Sequence, residues 1–318
     1  MGHAPERVAA IDIGTNSVLL LIAARNSEGT LSTLLEHANV TRLGRGVDAQ
    51  RRLQPEAMQR TLDVLATYVA EARAWNAPIL AVGTSALRDA SNAAEFRARA
   101  QAVLGVPLQV IEGEREATLT FAGALVGLPV QRAEVTVVDV GGGSTELVRA
   151  QGTQLAAVSI DIGAVRMTER FALTAPTSKS ACAQVIEHAT RAFAASGATT
   201  TPRIVAVAGT ATTLAAIEGD IEPFDPARIH GMRLSMAQLH ALIDRIAALD
   251  LTQRAALRGL GAARADVIVA GALVLLAACE HARANELIVS CGGLRVGLAA
   301  EALGLDPGSA ALQGAGGR

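Results

Sequence analysis

Lysine is almost missing from this sequence, with Lys179 as the only one among 318 residues. A Walker A loop needs a lysine after its glycines to reach the phosphates, so that class of nucleotide site is excluded. Aromatic residues make up only 2% of the chain, which leaves little for the base-stacking surfaces of single-strand binders. The net charge of −2 provides no global basic field. We therefore expect no nucleic-acid partner, and any polyanion must be bound by local arginines.

Cysteine is also rare, and its spacing excludes the common metal and redox motifs. Cys182, Cys279 and Cys291 are far apart and in no CxxC pair, which predicts free thiols in a reducing compartment. No apolar segment of the signal-peptide kind precedes Asp12. The longest apolar run, Val267–Cys279, is shorter than the roughly 20 residues of a membrane span. These features predict a cytoplasmic protein with no membrane partner, in which the apolar run is a buried helix or an interface.

Strand and helix patterns alternate through two halves of the chain. Short apolar strands at 8–11, 79–82 and 107–111 are interleaved with helical periodicity, as at 93–104, which is typical of the α/β class. The pattern pauses at a Gly/Pro stretch, 127–133, and then restarts with a strand. A chain of this length with 50% hydrophobic residues can bury two cores. We predict domain I at 1–128 and domain II at 129–293.

Two loops with one plan follow the first strand of each half. AIDIGTNS ends at Ser17 and VVDVGGGST ends at Thr145: an apolar strand, an aspartate, a spacer, glycine, then hydroxyl or amide side chains. Glycines let the backbone turn and present its N–H groups, so such a loop can hold phosphate without lysine. One such loop alone is more often an ordinary turn. Two matched copies predict a pair of phosphate loops that face each other across a cleft.

The acidic residues of these loops imply a cation. Asp12 and Asp139 would repel a phosphate unless a divalent ion lay between them. Oxygen ligands favour magnesium, with manganese as a substitute. Glu146 follows Asp139 by seven residues and would complete such a site.

Further segments carry side chains suited to phosphate chemistry. Gly209 and Thr210 end a strand in a third glycine–hydroxyl turn, a pattern shared with ordinary helix caps. Arg88 lies between a strand and a helix, where it could pair with phosphate. Glu116 lies at a helix start, where a carboxylate either complements the helix dipole or acts as a general base. A basic loop, either solvated or lining a polyanion channel, contains Arg42, Arg45, Arg51 and Arg52.

Together these motifs resemble those of one family. AIDIGTNSVLLLIA, VGTSALRDASN, IEGEREA, VVDVGGGSTELV, VAGTATTLAAI and RADVIVAGALVL follow the order of the exopolyphosphatase/guanosine pentaphosphate phosphohydrolase (Ppx/GppA) family, in its short two-domain form. The resemblance covers nearly the whole chain. It implies two actin-like, ribonuclease H-like domains of the ASKHA superfold with an interdomain cleft. It also implies magnesium, a homodimer, and hydrolytic release of orthophosphate from polyphosphate or guanosine pentaphosphate, with guanosine tetraphosphate as a related partner.

The same resemblance assigns roles residue by residue. Glu116 matches the family's catalytic base and Arg88 its phosphate-binding arginine. Asp139 and Glu146 match the metal-associated acids, and we place Asp12 with them. The substrate-binding residues are then Gly14, Thr15, Asn16, Ser17, Gly141, Gly142, Gly143, Ser144, Thr145, Gly209 and Thr210. A last helix at about 294–306 is expected to return to domain I, and 307–318 to form a flexible tail.

Departures from the family pattern leave some questions open. Cys291 stands where family members often carry an acidic or other polar residue, and the C-terminal helical domain of longer members does not occur in this sequence. The sequence does not choose between polyphosphate and guanosine pentaphosphate. The alternatives are a kinase of the same superfold and a nucleotide-binding regulator that responds to guanosine tetra- or pentaphosphate. Phosphate release without an acceptor would distinguish the hydrolase from both.

Overall fold

The computed structural model describes residues 5–27 and 29–305, and within them the chain divides into two units. Unit 1 runs up to Leu128 and resumes at Gly292, whereas unit 2 is Pro129–Cys291. The division falls inside the 127–133 stretch where the sequence pattern pauses. The predicted tail at 307–318 lies outside the described residues.

Unit 1 is built on a five-stranded mixed sheet in the order β3-β2-β1-β4-β5. Its strands are β1 (Arg7–Ile13), β2 (Ser17–Arg25), β3 (Leu31–Val40), β4 (Ile79–Gly83) and β5 (Leu108–Val110). Its first helices are α1 (Val47–Gln50), α2 (Pro55–Ala74), α3 (Ser85–Asp89), α4 (Ala93–Leu104) and α5 (Gly113–Ala124). Because β1, β4 and β5 are parallel, their carboxyl ends meet at one edge, where α/β proteins place ligand sites.

Both faces of the first sheet are buried along the middle of β1 and β2, which explains why 8–11 and 18–24 are apolar runs. Ala9 and Ile11 pack into a cluster with residues of α2 and α4. Val8 and Ala10, which alternate with them along β1, pack into a second cluster with Leu119 of α5. A strand covered on both sides has no polar face, so its sequence shows no alternation.

Unit 2 repeats this plan on a six-stranded sheet in the order β10-β11-β9-β6-β7-β8. Its strands are β6 (Val135–Val140), β7 (Thr145–Gln151), β8 (Gln154–Ile160), β9 (Arg203–Val207), β10 (Arg233–Ser235) and β11 (Glu286–Val289). Its helices are α6 (Ala164–Arg170), α7 (Lys179–Ala195), α8 (Ala208–Glu218), α9 (Pro226–Ile229), α10 (Met236–Ala248), α11 (Leu251–Ala255) and α12 (Ile268–His281). Strands β6, β9 and β11 are parallel, as β1, β4 and β5 are, so the predicted duplication extends to the sheets.

Helix α12 accounts for the longest apolar run of the sequence. Every residue from Ile268 to Cys279 is buried, and the run packs within the core of unit 2. A helix that is apolar all round belongs at the centre of a core. Its own unit therefore explains its composition, and the run provides no argument for the predicted homodimer.

The last helix, α13 (Leu294–Ala302), packs on α5 of unit 1 through glycines. A Cβ at Gly297 would lie 1.9 Å from the carbonyl oxygen of Leu119, and one at Gly123 would lie 2.1 Å from that of Gly293. The two backbones approach too closely for any side chain at these positions. This contact holds α5, and the side chains at its N-terminus, against the sheet of unit 1.

Candidate active site

The two predicted phosphate loops form the same turn in the two units. The Gly14 N–H donates to the Ser17 carbonyl at 3.0 Å, and the Gly141 N–H donates to the Ser144 carbonyl at 3.0 Å. In both hairpins the four loop residues join directly paired positions, Ile13 with Val18 and Val140 with Thr145. The internal repeat predicted from the sequence is therefore a repeat of backbone geometry.

In unit 2 the loop turns its carbonyl groups towards α6. The Gly141 carbonyl accepts the N–H of Ala164 at 2.8 Å, and the Gly142 carbonyl accepts those of Val165 at 2.8 Å and Arg166 at 3.0 Å. The Gly143 carbonyl accepts Nε–H of Arg166 at 2.7 Å. In a trans peptide the N–H points opposite to the C=O. The N–H groups of residues 142–144 therefore point away from α6, as donors that can surround an anion.

In unit 1 the residues after β3 play the same part. The Asn16 carbonyl accepts the N–H groups of Thr41 at 3.1 Å and Arg42 at 2.9 Å, and the Thr15 carbonyl accepts that of Gly44 at 2.8 Å. The N–H groups of Asn16 and Ser17, in the same peptides as these carbonyls, point the other way. Both loops thus have a bonded carbonyl side and an N–H side directed away from it.

Arg88 and Glu116 form an ion pair at the carboxyl edge of the unit 1 sheet. Arg88 Nη1 donates to Glu116 Oε2 at 2.7 Å and to the Ile111 carbonyl at 2.8 Å. Arg88 follows β4 in α3, and Glu116 follows β5 in the first turn of α5. The structure describes no partner for Nε and Nη2 of Arg88, so that edge of the guanidinium remains free to bind an anion.

Glu116 is a buried carboxylate with a perturbed pKa. It is 8% exposed, and desolvation raises its pKa above the usual carboxyl value, although the Arg88 charge and hydrogen bond act to lower it. Both predicted catalytic residues are therefore brought into contact. A carboxylate that takes up a proton more readily than usual is suited to act as a general base.

Asp139 and Glu146 are brought together in unit 2. They are directly paired across β6 and β7, so their side chains lie on one face of the sheet. Glu146 is 1% exposed, and its Oε1 accepts the Ser159 hydroxyl at 2.6 Å. Within residues 5–27 and 29–305, no group of three or more His, Cys, Asp or Glu forms a metal-binding cluster. Asp12 pairs with Leu19 in unit 1, and its association with a metal stays a prediction.

Two carboxylates nevertheless fit magnesium in its usual protein environment. Magnesium is commonly held by one or two carboxylates, while water and substrate phosphates fill its other positions. The pair of Asp139 and Glu146 supplies that number of oxygen donors, and the Ser159 hydroxyl orients one of them.

Three of the predicted substrate-binding residues make close contacts within unit 2. Thr145 is fully buried, and its hydroxyl donates to the Ile162 carbonyl. Thr210 is buried against α12, where a Cβ at Gly271 would lie 2.5 Å from its hydroxyl oxygen. The Arg264 guanidinium covers Gly209, and its Cζ lies 2.7 Å from the position that a Cβ on Gly209 would take. The Thr145 hydroxyl is therefore bonded within unit 2 and the Thr210 side chain is packed against α12, and binding of phosphate by either residue stays a prediction.

Comparison with known proteins agrees with this geometry. The Ppx/GppA phosphatase family model matches residues 21–305. Exopolyphosphatase 2 of Mycobacterium tuberculosis is 40% identical over 285 residues, 85% of this chain and 88% of that protein. The chain belongs to the Ppx/GppA phosphatase family. The crystal structure of the Aquifex aeolicus family member is 35% identical, with a TM-score of 0.78 over 94% of this chain and 98% of that one. An exopolyphosphatase structure from Cytophaga hutchinsonii is 26% identical, with a TM-score of 0.85 over 95% and 100% of the chains.

Membership of the Ppx/GppA family confirms several sequence predictions. The α/β class with two actin-like units is confirmed, and so is a hydrolase. Within the described residues none of the three cysteines forms a disulfide, as predicted from their spacing. None of the helices in the described ranges has both the length and the apolar character of a membrane span. Magnesium, the cleft, the homodimer and the cytoplasmic location stay predictions.

Two arginines of this Ppx/GppA phosphatase were not recognised from the sequence. Arg264 donates to the Gly209 carbonyl at 3.3 Å and to the Thr213 hydroxyl at 2.9 Å. Arg166 is buried and holds the Gly143 carbonyl. Both sets of bonds depend on packing between distant segments. Arg264 is the first residue of the motif RADVIVAGALVL, but the motif does not indicate its partners. Cys291 donates its backbone N–H to His230 Nδ1 at 3.2 Å, which gives that loop an anchor unrelated to thiol chemistry.

Proposed function

We propose that this chain releases terminal orthophosphate from inorganic polyphosphate or guanosine pentaphosphate, with Glu116 as general base. The observation that best supports this proposal is the contact between the buried Glu116 and Arg88 at the carboxyl edge of the unit 1 sheet. A matched relative is named exopolyphosphatase 2, which supports a phosphoanhydride substrate. The two loops with outward N–H groups supply anion-binding sites without lysine.

The proposed reaction is an attack of water on the terminal phosphorus. Glu116 accepts one proton from the water as its oxygen bonds to phosphorus. The bond from phosphorus to the bridging oxygen breaks, and the shortened chain leaves with that electron pair. Arg88 holds the Glu116 carboxylate through Nη1 and offers Nε and Nη2 to the transferring phosphate, whose charge it stabilises. Phosphoryl transfer depends mainly on such positioning and charge stabilisation.

A divalent cation completes the proposal. Asp139 and Glu146 would hold magnesium, or manganese in its place. When bound, this ion would neutralise charge on the phosphate oxygens. Asp12 occupies the register position in unit 1 that Asp139 occupies in unit 2, so we propose that it associates with the same cation, directly or through a bound water.

The test is magnesium-dependent phosphate release from short polyphosphate, long polyphosphate and guanosine pentaphosphate, measured in parallel. Glu116→Gln keeps the shape and removes the base, so kcat should fall by about 10²–10⁴-fold. Glu114→Gln is the matched control, because Glu114 is an exposed carboxylate two residues away on the same helix. The proposal fails if wild type releases phosphate from none of the three substrates, or if both variants lose activity equally.

A further inference from the structure

One strongly charged segment has no role in the mechanism above. The residues after β3, Thr41–Arg52, form a segment that we name the arginine loop. It contains four arginines, Arg42, Arg45, Arg51 and Arg52, against one acidic residue, Asp48. For a chain with a net charge of −2, this is a local concentration of positive charge.

The arginine loop is packed directly on the unit 1 phosphate loop. Besides the three backbone hydrogen bonds to Thr15 and Asn16, the loop presses Gly44 into a gap that admits no side chain. A Cβ at Gly44 would lie 2.3 Å from Thr15 Cγ2 and 3.1 Å from the Cβ of Ala86 in α3. Arg45 is therefore held next to both the phosphate loop and the helix that carries Arg88.

The far end of the arginine loop is anchored beside the same helix. The Arg51 carbonyl accepts both the N–H and the hydroxyl of Ser91, each at 2.8 Å. The Asn92 side chain accepts the Leu53 N–H at 2.8 Å and donates to the Leu53 carbonyl at 3.1 Å. Ser91 and Asn92 lie two and three residues after the end of α3. The loop is thus tied down at both ends along one side of the candidate site.

Three of its guanidinium groups are exposed and available. Arg45, Arg51 and Arg52 are exposed, and the part of the chain that the structure describes offers no side-chain partner to any of them. Arg51 also has φ of +53°, a left-handed conformation that disfavours a long side chain and favours glycine or asparagine. The Arg51 backbone is held there by the bonds from Ser91 and by its own N–H bond to the Val47 carbonyl, whereas no side-chain contact in the described chain accounts for arginine at this position.

We propose that Arg45, Arg51 and Arg52 bind the phosphates that follow the terminal one in a linear polyphosphate chain. This inference rests on the proposed function, and it assigns long polyphosphate as the preferred substrate class. A repeating anion can contact several separated guanidinium groups at once, whereas a short substrate spans fewer of them. The full binding free energy from this loop is therefore gained only by chains of sufficient length.

The experiment compares Arg45→Gln, Arg51→Asn, Arg52→Gln and the triple variant with wild type. Arg51→Asn is informative because asparagine suits the left-handed conformation, so the fold should be kept while the charge is lost. For the triple variant KM with long polyphosphate should rise about tenfold, and the slope of log KM against log salt should fall by about one per arginine. Activity on tripolyphosphate should stay within about twofold, since exposed charges act weakly at distance.

The control is Arg73→Gln. Arg73 is an exposed arginine in the last turn of α2, 18 residues after Pro55 and hence about 27 Å along the helix at 1.5 Å per residue. It should leave KM and the salt slope unchanged. The inference is overturned if the triple variant keeps the wild-type KM for long polyphosphate, or if tripolyphosphate is affected equally. Equal competition by single-stranded RNA, lost in the same variants, would assign the loop to nucleic acid instead.

The two proposals can fail separately. If wild type hydrolyses none of the substrates, the proposed function is lost, but binding of fluorescent long polyphosphate still measures the arginine loop. If hydrolysis is present and Glu116→Gln abolishes it while the loop variants match wild type, only the loop assignment is lost.

Discussion

The segments after the third strand of each sheet make the same contacts with different residues. In unit 1 the arginine loop follows β3 and bonds the carbonyls of Thr15 and Asn16; in unit 2 helix α6, a few residues after β8, bonds those of Gly141 and Gly142. One arginine of α6, Arg166, is 6% exposed and donates to the Gly143 carbonyl. In both units, backbone N–H groups must bond the carbonyls of the glycine loop, but this does not fix the side chains of the bonding segment. In unit 2 the arginine side chain is used inside the structure, whereas in unit 1 the arginine side chains face solvent.

The hairpins show the same divergence at paired positions. Asp12 lies opposite Leu19, whereas Asp139 lies opposite Glu146. One position towards the loop, Ile13 pairs with the apolar Val18, whereas Val140 pairs with the hydroxyl-bearing Thr145. Unit 1 thus carries a single hairpin acid together with the Arg88–Glu116 pair, and unit 2 carries paired acids. The two units therefore share one turn geometry, and the residues beside the turn differ in their chemistry.

Among the changes that test this comparison, the largest effect is expected from removing the positive charge of Arg88 in unit 1. Arg88→Met keeps the aliphatic volume but removes the charge, so kcat/KM should fall by about 10²–10³-fold as a transition-state contact is lost. Arg88 is also the group that lowers the Glu116 pKa against desolvation. Without it that pKa rises further, and because the base must be deprotonated, the acid limb of the pH profile of kcat/KM should move to higher pH.

Arg88→Lys provides the control for this shift. Lysine keeps the positive charge but not the guanidinium fork, so the acid limb should stay near its wild-type position while kcat/KM still falls. If Arg88→Met lowers the rate without moving the acid limb, Glu116 is not the group that the profile reports.

A smaller effect is expected from making the unit 2 hairpin resemble that of unit 1. Glu146→Leu introduces the residue found at the paired position in unit 1, Leu19, and removes one of two carboxylates. The magnesium concentration for half-maximal activity should rise by about 10–100-fold, as for the loss of a group that supports a metal. Glu187→Gln, at an exposed carboxylate of α7, should not change it. An unchanged magnesium titration in Glu146→Leu would remove this residue from the proposed metal site.

The elements that the sequence predicted are those with a local signal. The periodicity at 93–104 coincides with α4 (Ala93–Leu104), and the apolar run at 267–279 with the buried α12. Strand β7 was missed, because its start at Thr145 was assigned to the glycine loop. Helix α6 was missed because it spans only Ala164–Arg170 and is stabilised by loop carbonyls more than 20 residues away.

The parts of the candidate site that could be predicted are those set by residue type and by position at the end of a strand. An aspartate before a glycine turn, repeated after two strands, is visible in the letters alone. Whether Glu116 meets Arg88 depends on β4 and β5 lying side by side, which no local pattern states. Burial also depends on contacts between distant segments. Ser144 and Thr145 are adjacent hydroxyl residues, and only the packing shows that the Thr145 hydroxyl is bonded to the Ile162 carbonyl.

The smallest effect on catalysis is expected at Thr145, where a substitution tests whether the hydroxyl supports the fold or binds substrate. Thr145→Val introduces the residue found at the paired position in unit 1, Val18, with nearly the same shape. It leaves the buried Ile162 carbonyl without its donor, which should lower the free energy of unfolding by about 1–3 kcal/mol in denaturant titrations. Because the hydroxyl is already bonded to the Ile162 carbonyl, kcat/KM should stay within about twofold below the unfolding transition. Thr145→Ser keeps the hydroxyl and should recover most of the stability. A stable Thr145→Val protein with KM raised tenfold would show instead that the hydroxyl leaves Ile162 to bind phosphate, and that the two hairpins are more alike in use than in sequence.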